Sequence, residues 1–191
     1  MTKKVIKSIC VFCGSRDGLN EKYKVAAEEL GQLIAKESFG LVYGGGNIGL
    51  MGSLASSALK RNCKILGVIP KHLMQKEVGN TTLKNLVITQ NMHERKHLMY
   101  KKSDAFVILP GGIGTLDEFF ETLTWAQLDL HKKPIVLLNI DNFWDPLVVL
   151  LKHQIKLGFV NSTINKLFTI LGTPKETIQY LRDSNRQLSP E

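Results

Sequence analysis

The sequence predicts an α/β protein: a single-domain, Rossmann-like, doubly wound parallel sheet flanked by helices. Three observations lead there. Largely apolar runs of four to six residues recur without polar alternation, which marks strands buried on both faces. Each run is followed by helical spacing, and strand-then-helix repetition with right-handed crossovers winds a sheet in both directions. Three strand-to-helix junctions carry glycine, which lets backbone approach a ligand closely.

Residues 9–12 form the first strand, ending in Cys13-Gly14-Ser15, and helical spacing runs over 21–36. Residues 40–43 form the second, stopped by Gly44-Gly45-Gly46, with a helix over 49–59. A third strand over 64–69 closes at Pro70. Residues 86–89 form a fourth, followed by a helix over 92–101. The fifth strand, 105–109, precedes a long helix over 114–128, and the sixth, 135–138, precedes a helix over 144–157. A last helix follows Thr173-Pro174, with threonine as cap and proline in the first turn. No linker, composition break or repeat divides the 191 residues, so one domain over 1–191 is expected.

Composition removes several classes. Hydrophobic residues are 43% and charged residues 22%, which excludes a disordered or fibrous chain. No apolar run exceeds five residues, so no membrane partner is expected. The N-terminal segment is basic but has only a short apolar stretch and no cleavage site; it reads as the approach to the first strand, and the location as cytoplasmic. The net charge of +8 favours anionic partners. Its densest group is Arg95, Lys96, Lys101 and Lys102, no run reaches five like charges, and no aromatic residue interleaves with Lys/Arg pairs on a strand. A solvated basic surface is therefore expected, without nucleic acid. Cys10, Cys13 and Cys63 are odd in number, and Cys10 and Cys13 lie within an apolar strand, so all read as structural. His93 and His97 have the i,i+4 spacing of metal ligands but lack the HExxH carboxylate, so no metal site is expected.

Ligands of such sheets bind outside the carboxyl ends of the strands. There stand Cys13-Gly14-Ser15, the turn Gly44 to Gly49 with Gly45 at its centre, and Pro110-Gly111-Gly112-Ile113-Gly114-Thr115. Free amides at a helix start attract an anion, so a phosphate can sit over Gly111 to Thr115 with the Thr115 hydroxyl as an added donor. Neither GxxxxGKS/T nor GxGxxG with a following acidic residue is present, which argues against ATP hydrolysis, dinucleotide redox chemistry and any cofactor. Glu118 and Glu121 share a helix face with Thr122 and Trp125, and at least one should enter the site. Asp117 is expected only to favour the helix dipole. Arg95 and Met99 share a face of the preceding helix, which suggests an arginine grip on phosphate or carboxylate beside an apolar wall of Met92, Met99 and Trp125.

At PGGIGTLDE (110–118), MHERK (92–96) and YGGGNIGLMG (43–52) the chain resembles the LOG (Lonely Guy) family of cytokinin-activating phosphoribohydrolases, often labelled lysine decarboxylases. CVFCGS, IPKHLMQKEV and TWAQLDLHKKPIVLLN extend the resemblance over roughly 8–160. It implies hydrolysis of the N-glycosidic bond of N6-modified adenosine 5′-monophosphates to free base and ribose 5-phosphate, with a substrate range like that of AMP nucleosidases in many bacterial members. It implies Arg95 and Glu118 as the catalytic pair. Glu77, Lys96, Gly111, Gly112, Ile113, Gly114, Thr115 and Thr124 would contact substrate, Glu121 would assist, and a homodimer would close the site. Asp117 departs from the glutamate of many relatives. Two other readings were weighed: a non-catalytic nucleotide or molybdenum-cofactor carrier, and a pyridoxal phosphate decarboxylase, for which Lys96 is the one lysine placed near the site.

Overall fold

A computed structural model describes residues 5–186; the extreme N-terminal basic residues, and the ends of the expected 1–191 domain, lie outside it. Seven parallel strands form one sheet in the order β4-β3-β2-β1-β5-β6-β7. The strands are β1 (Ser8–Phe12), β2 (Gly40–Tyr43), β3 (Ile65–Pro70), β4 (Leu86–Thr89), β5 (Ala105–Ile108), β6 (Ile135–Leu138) and β7 (Thr169–Leu171). The helices are α1 (Glu21–Lys36), α2 (Gly49–Leu59), α3 (Met92–Lys101), α4 (Ile113–Gln127), α5 (Asp145–Lys156) and α6 (Pro174–Arg186).

The unbroken apolar runs are explained by two cores. Ile9 and Val11 of β1 pack with Leu30 of α1, Leu54 of α2 and Leu181 of α6. Cys10 and Phe12, pointing the other way, pack with Met99 of α3, Phe119 of α4 and Leu147 of α5. A strand alternates its side chains by residue, so covering both faces requires apolar residues at every position. The edge strand β4 departs from this, leaving Val87 and Ile88 exposed.

The strand β7 was not expected from the sequence. It has three residues, Thr-Ile-Leu, and pairs only with β6, so its pattern is too short to stand out. The same holds for three short 3-10 helices, Lys71–Leu73, Ile140–Asn142 and Ser162–Lys166, whereas the other six strands and the six α-helices match expectation to within a residue or two at their ends.

After β1 the chain turns to α1 on one face, and after the neighbouring β5 it turns to α4 on the other. This is the point where connections diverge and leave a crevice at the carboxyl ends. The helices start in two ways, and α5, which follows Trp144, is among those without a side-chain cap. Asn20 caps α1 by accepting from the Lys22 amide, and Asn91 caps α3 by accepting from the Glu94 amide. No side chain caps α2, which follows Ile48, or α4, which follows Gly112.

Candidate active site

A cleft of about 470 Å³ opens at this divergence, between the β1–α1 loop, the start of α2, the loop after β3, the start of α3 and the β5–α4 turn. Its size suits a small organic ligand. A larger hollow of about 690 Å³ lies at the amino ends of β5, β6 and β7, beside Asp104, Ile135 and Thr169. Parallel sheets bind ligands at the opposite end. In that hollow the Lys133 ammonium already donates to the Tyr100 carbonyl oxygen at 2.7 Å and lies over the Tyr100 ring.

The floor of the cleft holds a buried ion pair. Arg95, in the first turn of α3, and Glu118, in the second turn of α4, are each 6% exposed. Arg95 Nη2 stands 3.4 Å from Glu118 Oε1. The guanidinium occupies space that Gly44 leaves open: a Cβ at position 44 would lie 2.3 Å from Nη2. Burial pushes the Glu118 carboxyl up to about 7, against the opposing pull of Arg95 and with smaller support from Asp117 and Glu77. The site thus holds a carboxyl that exchanges its proton near neutrality.

Glu77 joins them from the loop after β3. That loop is fastened to the glycine turn after β2: the Asn47 amide donates to the Glu77 carbonyl oxygen at 3.0 Å, and the Asn80 amide to the Gly45 carbonyl oxygen at 2.8 Å. Burial raises the Glu77 carboxyl, and Arg95 pulls it back. Glu77 Oε2 and Arg95 Nε are both buried without a hydrogen-bond partner. Buried polar atoms are almost always paired, so these two, on residues that line one cleft, call for a polar partner such as water or a bound ligand.

The β5–α4 turn forms the opposite wall. Gly111 lies against Thr115, whose Oγ1 would be 2.1 Å from a Cβ there, while positions 112 and 114 have nothing within 4 Å. Backbone amides at this open, uncapped helix start form a site for an anion. Cys13 lies in the cleft lining as well, but burial raises its thiol far from ionisation, so it offers no nucleophile at neutral pH.

Of the candidate residues, Arg95, Glu118, Glu77, Met92, Gly111, Gly112, Ile113, Gly114 and Thr115 line this one cleft. The others lie elsewhere. Lys96 is 11% exposed and turns away, 3.0 Å from both Asp117 Oδ2 and Glu121 Oε1. Asp117, expected only to favour the helix dipole, instead joins α4 to α3 through Lys96. Thr124 is exposed further along α4 and outside the lining. Gly45 is buried with φ +76°, and a Cβ there would press on Ile69 at 3.0 Å; it shapes the turn to which the Glu77 loop is fastened. The expected apolar wall is corrected: Met99 is fully buried in the second core, and Trp125 packs edge-on against Tyr100 at 4.6 Å. Arg95 lines the cleft, whereas Met99, one turn further along α3, packs with Cys10 and Phe106 of the sheet. His93 and His97 are exposed, and among the described residues no cluster of three or more metal-ligating side chains occurs.

Sequence reasoning missed Arg16, Tyr23 and Phe143, which also line the cleft. Tyr23 of α1 and Phe143 after β6 meet edge-on at 5.4 Å. They are brought together by Asp141, which accepts from Lys22 Nζ at 2.6 Å and Asn20 Nδ2 at 2.7 Å, a contact across more than a hundred residues.

A cleft at the divergence point, with a buried arginine–carboxylate centre beside an uncapped helix start, defines a doubly wound α/β protein with a site for a small ligand. The chain belongs to the LOG family: the family model described as "Possible lysine decarboxylase" matches residues 51–181. It is 40% identical over 183 residues to "Cytokinin riboside 5'-monophosphate phosphoribohydrolase LOG3" of Arabidopsis thaliana, covering 96% of this chain and 85% of that protein. It is 42% identical over 177 residues to LOG1 of the same plant, which carries the same activity name, covering 93% and 83%. The fold is also that of the molybdenum cofactor binding protein from Rippkaea orientalis, with TM-score 0.69, 24% identity and coverage of 93% and 96%. At that identity the likeness concerns the fold alone. As for lysine decarboxylation, a pyridoxal phosphate enzyme needs a Schiff-base lysine. No lysine lines the cleft among the described residues, and Lys96 is held by two carboxylates outside it, so the donor set does not fit that cofactor.

Proposed function

We propose that this protein hydrolyses the N-glycosidic bond of adenosine 5′-monophosphates, plain or N6-modified, releasing the base and ribose 5-phosphate. The observation that carries the reading is the buried Arg95–Glu118 pair with the orphaned Arg95 Nε and Glu77 Oε2 beside it, in a cleft bounded by an uncapped helix start. The activity named for the Arabidopsis and rice relatives agrees with it.

In this reading the phosphate lies over Gly111, Gly112, Ile113, Gly114 and Thr115, and Glu77 meets ribose hydroxyls. Breaking C1′–N9 builds positive charge on the ribose, as in O-glycoside cleavage. The Glu118 carboxylate faces that charge and takes a proton from the water whose oxygen adds to C1′; the departing base takes a proton from solvent at a ring nitrogen, and Glu118 then returns its proton to solvent. Arg95 favours the ionised form of Glu118 against the stronger effect of its burial. Phosphate binding remote from C1′ fixes the ribose for the reaction. Met92 borders the base. Lys96 and Glu121 act by joining α3 to α4, and Thr124 and Gly45 stand behind the site.

The protein acts in the cytoplasm as a homodimer on this reading. Ile113, 81% exposed at the cleft, supports a second copy closing over the site, and sedimentation would give twice the chain mass. The catalytic reading is tested by incubating the protein with AMP and with N6-isopentenyl-AMP and separating the products by chromatography. Base and ribose 5-phosphate in equal amounts support it, and the faster substrate identifies the preferred base. Tight nucleotide binding without release of base would replace it with the carrier reading.

A further inference from the structure

We propose that Arg16 is a ligand of the substrate phosphate, completing the anion site beside the Gly111 to Thr115 turn. This rests on the nucleotide reading above and adds a residue that neither the family motifs nor the comparisons assign.

Arg16 lies in the loop between β1 and α1 and lines the same cleft as Gly112, Gly114 and Thr115. Its backbone is wedged in place. The Gly14 amide donates to the Pro110 carbonyl oxygen at 3.0 Å, fastening this loop to the β5–α4 turn. On the other side Gly49, with φ +58°, brings the start of α2 against it; a Cβ at Gly49 would lie 2.3 Å from the Ser15 carbonyl carbon and 2.4 Å from the Arg16 amide nitrogen. The Arg16 backbone is therefore held between two helix starts, neither capped by a side chain.

The side chain itself is uncommitted. Arg16 is exposed and has no hydrogen-bond or ion-pair partner among the described residues, although Asp17 is its neighbour in the chain. Charge in the cleft makes this significant. The lining carries two cations, Arg16 and Arg95, against three carboxyls, Asp17, Glu77 and Glu118. Arg95 faces Glu118 at 3.4 Å and is 6% exposed, so its charge is already answered. A phosphate dianion entering a cleft with an acidic excess is repelled unless a free cation meets it. Helix amides supply partial charge only. Arg16 is the one cation of the lining left to supply a full one, and its planar fork matches a phosphate.

The test compares wild type, Arg16→Gln and Arg16→Lys on AMP and on adenosine, which lacks the phosphate. The ratio of kcat/KM for AMP over adenosine should fall about 10- to 100-fold in Arg16→Gln, the range for a hydrogen bond to a charged group, and recover in part in Arg16→Lys. Calorimetric titration with ribose 5-phosphate should show the same weakening without any turnover. A ratio and a ribose 5-phosphate affinity within twofold of wild type in a folded Arg16→Gln would overturn the proposal. If wild type cleaves neither substrate, the hydrolase reading fails, and the ribose 5-phosphate titration alone decides whether Arg16 binds phosphate.

Discussion

Replacing Gly44 by alanine tests whether the placement of the Arg95 guanidinium sets the rate. Gly44 is not among the residues with positive φ, so alanine meets no backbone strain there. Its Cβ would lie 2.3 Å from Arg95 Nη2 and 2.9 Å from Met51 Sδ. Ordinary contact begins near 3.4 Å, so the guanidinium must withdraw by about 1 Å. Both crowded atoms are the far parts of long side chains, and the fold should lose less than about 1 kcal/mol. Catalysis should lose more. Misplacing a catalytic group by 1 Å can cost about 100-fold, or about 2.7 kcal/mol of transition-state stabilisation. Steady-state kcat/KM for AMP, measured beside a thermal melt, separates the two effects. A folded Gly44→Ala protein within threefold of the wild-type rate would refute the argument that this guanidinium must stand where it does.

Three further outcomes follow from the same geometry. Because burial raises the Glu118 carboxyl to about 7, and the carboxylate is the working form, kcat/KM should rise with pH and level off above about 7; a limb near 4.5 would mean another group controls the rate. The stability linkage has the opposite sign. A carboxyl whose folded pKa exceeds its unfolded value of 4.5 contributes stability that is full below 4.5 and is lost as pH rises from there through about 7, a loss on the order of 3 kcal/mol. Urea unfolding of wild type and Glu118→Gln at pH 4.5 and pH 8 should therefore show wild type losing ground by that order, and a constant difference would argue against the burial effect. Gly45→Ala, unlike Gly44→Ala, should lower the melting temperature, since φ +76° and an Ile69 contact at 3.0 Å leave alanine strained by at least about 1 kcal/mol.

The fold was legible because each strand is covered on both sides. Positions such as Ile9-Cys10-Val11-Phe12 must then be apolar without interruption, and the following glycine turns mark where helices begin. The strand β7 was hidden because three residues paired on one side only carry too little pattern. Local motifs gave the parts of the site that lie on single turns: Gly111 to Thr115, Arg95 in its helix, Glu118 one turn beyond the glycines. They could not give the side on which Lys96 falls. Its neighbour in sequence is buried in the cleft, yet Lys96 itself points to Asp117 and Glu121, a choice made by the packing of α3 against α4. Met99 shows the limit of helical spacing as well. Sharing a face with Arg95 said nothing about where the sheet ends, and the core claimed it. Tyr23 and Phe143 were out of reach for a different reason: their meeting depends on an Asp141 contact between distant loops.

In the proposed reaction the Arg95–Glu118 centre breaks a nucleotide's glycosidic bond and does more than hold the nucleotide. The most direct test measures AMP binding by calorimetry and adenine release by chromatography for wild type, Glu118→Gln and Arg95→Ala. The account predicts adenine and ribose 5-phosphate in equal amounts from wild type, and release at least about 100-fold slower from both variants while they still bind AMP. Wild type that binds AMP and releases no adenine, or variants that are folded and release it at the wild-type rate, would contradict it.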